Sequence, residues 1–117
     1  MIIKNNEVTL WKQEPGIDGM YAHIERCARV CYRSESNEKV SSQKFVKGLI
    51  NKKHMRCCEM GTVGVKSHSP IWFLRSQFSP WVLRVGFGKY ITNLRYFVEV
   101  YGDSWESELK KRWFDSD

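Results

Sequence analysis

The periodicity of the apolar residues changes along this chain, and that change limits the folds it can adopt. From Met20 to Cys31, apolar residues recur at intervals that place them on one face of a helix. From Leu94 to Val100 they recur at every second position, which is typical of a half-buried strand. A chain of 117 residues is sized for one compact domain. The sequence therefore predicts a single α+β domain over 1–117, with two to three helices packed on a small antiparallel sheet.

Capping residues delimit two predicted helices in the first half of the chain. Asp18 can accept hydrogen bonds from the first amides of a helix that ends near Tyr32. The polar segment 33–39 follows as a loop, and Ser41 or Ser42 can cap a second helix. We expect the second helix to bury Phe45, Leu49 and Ile50.

A third predicted helix begins with a capping box, in which Asp103 is followed three residues later by Glu106. Two pairs at i, i+4 spacing, Glu106–Lys110 and Glu108–Arg112, would stabilise it. Its buried face would carry Trp105, Leu109 and Trp113.

Four segments bounded by turn residues are predicted to be strands. They are 7–12, 61–66, 81–85 and 90–101. The last two would form a hairpin through Gly86 and Gly88, because glycine allows the positive φ of a tight turn. The segment 71–79, bracketed by two prolines, is left unassigned.

The charge balance favours anionic partners. Nineteen Lys and Arg against 13 Asp and Glu give a net charge of +6, and the isoelectric point is near 9.3. Such a balance suits nucleotides, flavin phosphates or nucleic acid, and it does not choose among them.

The cysteines and the hydropathy indicate a compartment for the protein. Cys27, Cys31, Cys57 and Cys58 are not spaced as a disulfide framework, so we expect thiols in a reducing environment. A vicinal pair departs from the Cys-x2–4-Cys spacing of structural zinc sites, so we expect buried thiols and no metal. No apolar run approaches the roughly 20 residues that cross a bilayer, and the N-terminus has no apolar signal core. These features predict a cytoplasmic protein with no membrane partner.

One short segment combines three chemically active side chains. His54, Arg56 and Glu59 lie directly after the second predicted helix and directly before a strand. Arg56 can grip a phosphate, Glu59 can accept from a ribose or ring N–H, and His54 can donate or accept near neutral pH. The alternative is a solvated turn with no ligand.

Basic and aromatic residues interleave in the second half of the chain and suggest a rival function. Arginines and lysines could neutralise phosphates while neighbouring rings stack on bases, as in a small non-enzymatic nucleic-acid-binding module. A half-buried hairpin with basic residues outward explains the same pattern. The residues concerned are Arg75, Arg84, Lys89, Arg95, Trp72, Phe73, Phe78, Trp81, Phe87, Tyr90 and Tyr96.

Two motifs flank the second predicted helix. Residues 27–32 read Cys-Ala-Arg-Val-Cys-Tyr, and residues 54–62 read His-Met-Arg-Cys-Cys-Glu-Met-Gly-Thr. Their order and spacing resemble the N-terminal part of the flavin-dependent thymidylate synthases, which carry Ala-Arg-Val-Ser/Cys-Tyr/Phe and then Gly-His-Glu-Ser/Thr-x-x-Glu-His before a strand. Residues 90–95, Tyr-Ile-Thr-Asn-Leu-Arg, look like the hairpin of members with an insertion. The resemblance implies a core at 1–67, an inserted-type hairpin at 79–101 and a closing helix at 103–114.

The resemblance also implies an activity and a site. The family reaction is reductive methylation of dUMP to dTMP with FAD, NADPH and methylenetetrahydrofolate, carried out by homotetramers with sites between subunits. In the family a helix-end Ser, the His, the Ser/Thr and the Glu contact the flavin, and the matching positions here are Cys31, His54, Arg56 and Glu59. The implied ligands are FAD and dUMP or a related nucleotide, and the implied assembly is a homo-oligomer.

The sequence departs from the family pattern in three places. Arg56 stands where the family has Ser or Thr, and Met60 stands where it has His. The family's Arg-His-Arg-x-x-Ser signature, which holds flavin and the dUMP phosphate, does not occur in this sequence. We therefore expect an incomplete or degenerate member, lacking a C-terminal half, with at most partial flavin or nucleotide binding.

Overall fold

Strands and helices are both present in this chain, whose computed structural model describes residues 2–4, 7–9, 12–32 and 41–115. The strands are β1 (Ile2–Lys4), β2 (Glu7–Thr9), β3 (Thr62–Lys66), β4 (Leu83–Gly86) and β5 (Lys89–Asn93). The helices are α1 (Gly16–Tyr32), α2 (Ser42–Asn51), α3 (Pro70–Phe78), α4 (Leu94–Tyr101) and α5 (Trp105–Arg112), with 3₁₀ helices at Arg56–Met60 and Gly102–Ser104. β1 pairs with β2, and β3, β5 and β4 form a three-stranded antiparallel sheet in that order. The predicted α+β class is confirmed.

One hydrophobic cluster joins the three-stranded sheet to the helices. It takes residues from the segment 1–67, from the hairpin segment and from the closing helix, so these parts share one core. Its most deeply buried side chains are Met20, Ile24, Ala28, Val46, Cys58, Val63, Val65, Leu94, Phe97 and Leu109.

Helix α1 carries the predicted buried stripe, but the predicted cap at Asp18 is wrong, because the helix begins at Gly16 and Asp18 lies within its first turn. Met20, Ile24 and Ala28 are fully buried, whereas Cys27 is half-buried. The helix ends at Tyr32 as expected, and the predicted loop 33–39 lies outside the described residues. No helix in the described ranges is long and apolar enough to cross a membrane.

Helix α2 begins as predicted and packs its predicted face against the core, with Val46 as its most buried residue. The Ser41 hydroxyl accepts the Lys44 amide at 3.3 Å, which confirms the cap. Val46 is the fully buried residue, whereas the predicted Phe45, Leu49 and Ile50 are only half-buried. The Arg29 guanidinium lies 4.6 Å from the centre of the Phe45 ring and covers it.

The unassigned segment 71–79 lies mostly in helix α3. Ser69 caps it by accepting the Ile71 amide at 3.3 Å, and Pro70 occupies the first turn, where a missing N–H costs nothing. Trp72 is its buried residue. The first proline therefore begins a helix, and the second follows its end.

The strand predicted over 90–101 is wrong in its second half, because the chain turns into helix α4 at Leu94. The Asn93 side chain caps this helix by accepting the Tyr96 amide at 2.8 Å. Leu94, Phe97 and Val98 are buried at helical spacing. The apolar residues of this segment therefore fit both the two-residue period of a strand and the 3.6-residue period of a helix. The Asn93 cap and the burial at helical spacing show that it is a helix.

The closing helix is confirmed at α5, but its capping box is wrong. Asp103 lies in the preceding 3₁₀ helix, and no side chain caps α5. The Glu108–Arg112 pair forms at 2.7 Å. Glu106 instead pairs with Lys47 of α2, at 3.0 Å, because the helices pack together there.

The remaining strand predictions hold with shorter bounds. The segment 61–66 forms β3, and the hairpin between β4 and β5 turns at Gly88, whose φ is 68°. In the segment 7–12 the described residues form a strand over Glu7–Thr9, and Lys12 lies outside it. In the segment 81–85, strand β4 begins at Leu83.

The contact between α1 and α2 generates a prediction about pH. Glu25 accepts the Ser42 hydroxyl at 2.7 Å and the Arg29 guanidinium at 2.7 Å. Burial pushes the pKa of Glu25 upward, but these hydrogen bonds and the Arg29 charge outweigh it and lower the pKa below its ordinary 4.5. A lowered carboxyl pKa contributes stability above the unfolded-state pKa, and that stability is lost as pH falls through the folded-state pKa.

We therefore expect Glu25→Gln to lower the free energy of unfolding by about 1–2 kcal/mol near pH 7. The difference from the wild type should shrink below about pH 4. Urea denaturation at both pH values measures this, with the exposed Glu14→Gln as control. Equal losses in the two variants, or a difference that persists in acid, would contradict the assignment.

Candidate functional site

The segment that carries His54, Arg56 and Glu59 is a sharp connection between α2 and β3. Helix α2 ends at Asn51; Lys53, two residues later, adopts a positive φ of 60°, and the His54 amide donates to the Leu49 carbonyl at 2.8 Å. The 3₁₀ helix Arg56–Met60 follows. It buries Cys57 and Cys58 and leaves Arg56 and Glu59 exposed.

Close packing at Gly61 holds this connection in place. A Cβ at Gly61 would overlap the Ile24 side chain of α1. The Gly61 carbonyl accepts the Leu94 amide at 3.0 Å, at the start of α4. Helices α1 and α4 therefore fix the position from which Arg56 and Glu59 project.

The predicted site residues line two neighbouring concavities. His54 and Arg56 line one of about 340 Å³, together with Lys53, Met55, Arg95 and Glu99. Glu59 lines the other, of about 220 Å³, together with Trp81, Asn93, Arg95, Tyr96 and Glu99. Because Arg95 and Glu99 border both, we call the pair the Arg95 groove. The structure thus brings three of the four predicted residues to one groove; the side chain of Cys31 lies outside the part of the chain that it describes.

Arg95 is the central residue of this groove, and sequence reasoning considered it only as a nucleic-acid contact. Its Nη1 lies 2.9 Å from the Glu59 carboxylate, and its Nε lies 3.4 Å from the Glu99 carboxylate. Residues four apart in a strand are about 13 Å apart, whereas in a helix they are neighbours. The predicted strand would therefore have kept Arg95 and Glu99 apart, whereas the helix makes them neighbours at i, i+4 spacing.

The groove carries uncompensated positive charge. Both of its carboxylates, Glu59 and Glu99, are engaged by Arg95. Lys53 and Arg56 are exposed and form no ion pair with any residue that the structure describes. A guanidinium and an ammonium in this position can bind phosphate oxygens through charge-assisted hydrogen bonds.

The cysteines near the groove are buried thiols. Burial, and secondarily the neighbouring Cys57, raises the pKa of Cys58 to about 12. Cys27 on α1 is half-buried, with its sulfur 3.9 Å from His23 Nε2. Over residues 12–32 and 41–115, no three His, Cys, Asp or Glu side chains cluster as metal ligands. The buried pair therefore supports the loop by packing.

A second surface combines exposed rings with positive charge. The segment 61–98 contains five Lys and Arg and no Asp or Glu. The Arg84 guanidinium lies 5.2 Å from the centre of the Phe73 ring, and Phe78 and Phe87 are 84% and 83% exposed. We call this the aromatic surface; its large exposed residues are Ile71, Phe73, Leu74, Phe78, Trp81, Leu83, Val85 and Phe87.

Comparison of the chain with protein-family models, curated proteins and solved structures found no match. The chemistry of the two surfaces is therefore the basis for assigning a function. The Arg95 groove offers cations beside rings at a fixed connection, and the aromatic surface offers rings among unpaired cations.

The burial of Cys58 generates a prediction about reactivity. Because the thiolate is the reactive form, a thiol with a pKa near 12 should resist alkylation in the folded protein at neutral pH. In a Cys57→Ala variant, Cys58 should react with iodoacetamide at least ~10-fold more slowly than after unfolding in urea. Mass spectrometry of the peptide that contains Cys58 measures the rate. Alkylation of Cys58 as fast as that of the half-buried Cys27 would contradict the prediction.

Proposed function

We propose that this chain is a flavin-dependent thymidylate synthase-like protein whose Arg95 groove binds the phosphate-bearing part of FAD. The observation that carries the proposal is the placement of Lys53 and Arg56, without ion-pair partners in the described structure, beside His54 on one concavity. A dinucleotide pyrophosphate is the ligand that such cations neutralise best.

The residues present fit the cofactor. Lys53 and Arg56 can contact its phosphates, and the Trp81 and Tyr96 rings border the adjoining concavity, where a flat ring system can lie. Arg95 donates a hydrogen bond to one oxygen of the Glu59 carboxylate. The second oxygen can therefore accept a hydrogen bond from a ribose hydroxyl or a ring N–H. When bound, the flavin would supply the redox chemistry, and these side chains would orient it.

Arg56 makes this groove chemically different from the family pattern. The family pattern has a small hydroxyl residue there, which can offer one hydrogen bond to the cofactor. A guanidinium offers several N–H donors and a full charge. We therefore assign Arg56 to phosphate rather than to the flavin ring.

We propose cofactor binding by this chain rather than turnover by it alone. The Arg-His-Arg-x-x-Ser string, which in the family clamps the dUMP phosphate, is absent from the sequence. Without that clamp, dUMP would not be held against the flavin, and such positioning is what makes a multi-step transfer feasible. Reductive methylation of dUMP to dTMP would require a polypeptide that supplies those groups.

We propose self-association and a cytoplasmic location as well. Both concavities of the groove are open to solvent, so a cofactor lying there would have one face uncovered. A second copy of the chain would cover that face, as in the homotetramers of the family. Buried thiols such as Cys58 agree with a reducing compartment.

Titration with FAD tests the cofactor proposal. Flavin fluorescence should change on binding, because the ring system would stack against Trp81 or Tyr96. We expect saturation at or below ~100 μM FAD, and Arg56→Gln should weaken binding about 10-fold by removing a phosphate contact. Lys110→Gln, which removes one charge from the exposed face of α5, is the matched control and should bind normally.

Two outcomes of this titration would reject the cofactor proposal. One is unchanged flavin fluorescence up to ~100 μM FAD, with or without dUMP. The other is equal weakening by Arg56→Gln and Lys110→Gln, which would reduce the effect to net charge.

A second candidate function, binding of single-stranded nucleic acid, is favoured by the absence of acidic residues from the segment 61–98. Phe78 and Phe87 could stack on bases while Arg84 and Lys89 neutralise phosphates. This function would use the aromatic surface, which shares Trp81 with the lining of the Arg95 groove.

Binding of a labelled oligothymidine, followed by fluorescence anisotropy, tests the second candidate. The affinity should fall steeply with salt. Phe87→Ala should cost about 1–3 kcal/mol of binding free energy by removing a stacking ring, and Arg84→Gln should reduce the salt dependence. Lys110→Gln is again the control. Binding that is absent or insensitive to salt would exclude this function.

A further inference from the structure

A separate cavity of about 290 Å³ lies between helix α3 and the C-terminal ends of α4 and α5. Its polar lining comes from Ser67, Ser69, Trp72, Arg75, Tyr101 and Arg112. It shares no lining residue with the Arg95 groove. We call it the donor cavity, because its polar side chains present hydrogen-bond donors.

Each hydroxyl of the donor cavity already accepts a hydrogen bond. The Ser67 oxygen accepts the Ser69 amide at 3.2 Å and the Arg112 guanidinium at 3.3 Å. The Tyr101 oxygen accepts the indole N–H of Trp72 at 2.9 Å. The Ser69 oxygen accepts an amide of the first turn of α3 at 3.3 Å. Because these oxygens act as acceptors, the hydroxyl protons remain to be donated to another group.

Arg75 lines the same cavity and carries one unsatisfied donor. Its Nη1 donates to the Tyr96 hydroxyl at 3.1 Å, and its Nε is buried without a hydrogen-bond partner. No carboxylate of the described residues forms an ion pair with it, and the segment 61–98 around it contains none. A buried guanidinium N–H without a partner is costly, so an acceptor placed near it would stabilise the fold.

Arg112 enters the cavity from the opposite element, α5. Its Nε is held by Glu108 at 2.7 Å, and its Nη1 donates to Ser67 at 3.3 Å. These two contacts orient the guanidinium and leave its other N–H groups available. Glu108 does not line the cavity, and no other carboxylate lines it. The lining therefore presents two cations and three hydroxyl protons with no anion among them.

We propose that the donor cavity binds a phosphate group, either free or as a small phosphomonoester. A phosphate presents several oxygens in different directions, and here donors approach from α3, α4 and α5 together. Ile71 and Val100 provide apolar wall for a small organic substituent. This site is independent of the FAD proposal, because the two sites share no residue.

Nuclear magnetic resonance on the full chain tests the proposal directly. The indole N–H of Trp72 and the Nε–H of Arg75 should shift in a saturable manner when inorganic phosphate is added. Sodium chloride at equal ionic strength should leave them in place. Phenyl phosphate distinguishes the two ligand sources: tighter binding than inorganic phosphate identifies a phosphomonoester site, and weaker binding identifies a site for the free ion.

Four variants locate the bound phosphate. Arg75→Lys keeps the charge but removes the Nε donor, and Arg112→Gln removes the facing cation; each should weaken phosphate binding about 10-fold or more. Lys111→Gln on the exposed face of α5 and Arg56→Gln in the Arg95 groove should leave it unchanged. The proposal is overturned if neither resonance shifts with phosphate, if chloride shifts them equally, or if Lys111→Gln weakens binding as much as Arg112→Gln.

Discussion

The packing of Gly61 against Ile24 is the contact on which the arrangement of the site depends. It allows the connection after α2 to press against α1, with Cys57 and Cys58 inside the core. The Gly61 carbonyl then receives the first amide of α4. One close approach thus sets both walls of the Arg95 groove, because Arg56 and Glu59 project from the connection and Arg95 projects from the first turn of α4. A side chain at position 61 would overlap Ile24 of α1.

The distribution of acidic residues explains where this protein has positive charge that no carboxylate neutralises. All 13 Asp and Glu lie outside the segment 61–98. Arg95 stands near one end of that segment and reaches Glu59 and Glu99. Arg75 stands in its interior and forms no ion pair with a carboxylate of the described residues, among which its buried Nε also has no partner. Within this segment, Arg95 is therefore neutralised by carboxylates just outside its two ends, whereas Arg75 forms no ion pair with a described residue.

Much of the architecture follows from local patterns, and the exceptions have identifiable reasons. The stripe on α1, the Ser41 cap, the strand before Lys66 and the glycine turn were predictable because each depends on nearby residues. Helix α4 was not, because its apolar residues fit a strand and a helix equally well. The error mattered for the site, since only the helical register places Glu99 beside Arg95. In the same way, Glu106 could have paired with Lys110 on its own helix, α5, yet it pairs with Lys47 on α2.

The amino-acid order alone indicates the class of the fold, places His54, Arg56 and Glu59 in one short connection and gives the net positive charge, because these depend on composition and on neighbours in the chain. The folded molecule decides the rest: which thiols are buried, which carboxylates Arg95 engages, and which hydroxyls and guanidinium groups face one cavity. Those features join residues that are tens of positions apart. No local pattern encodes them, since they arise only when the helices pack on the sheet and compete for the same partners.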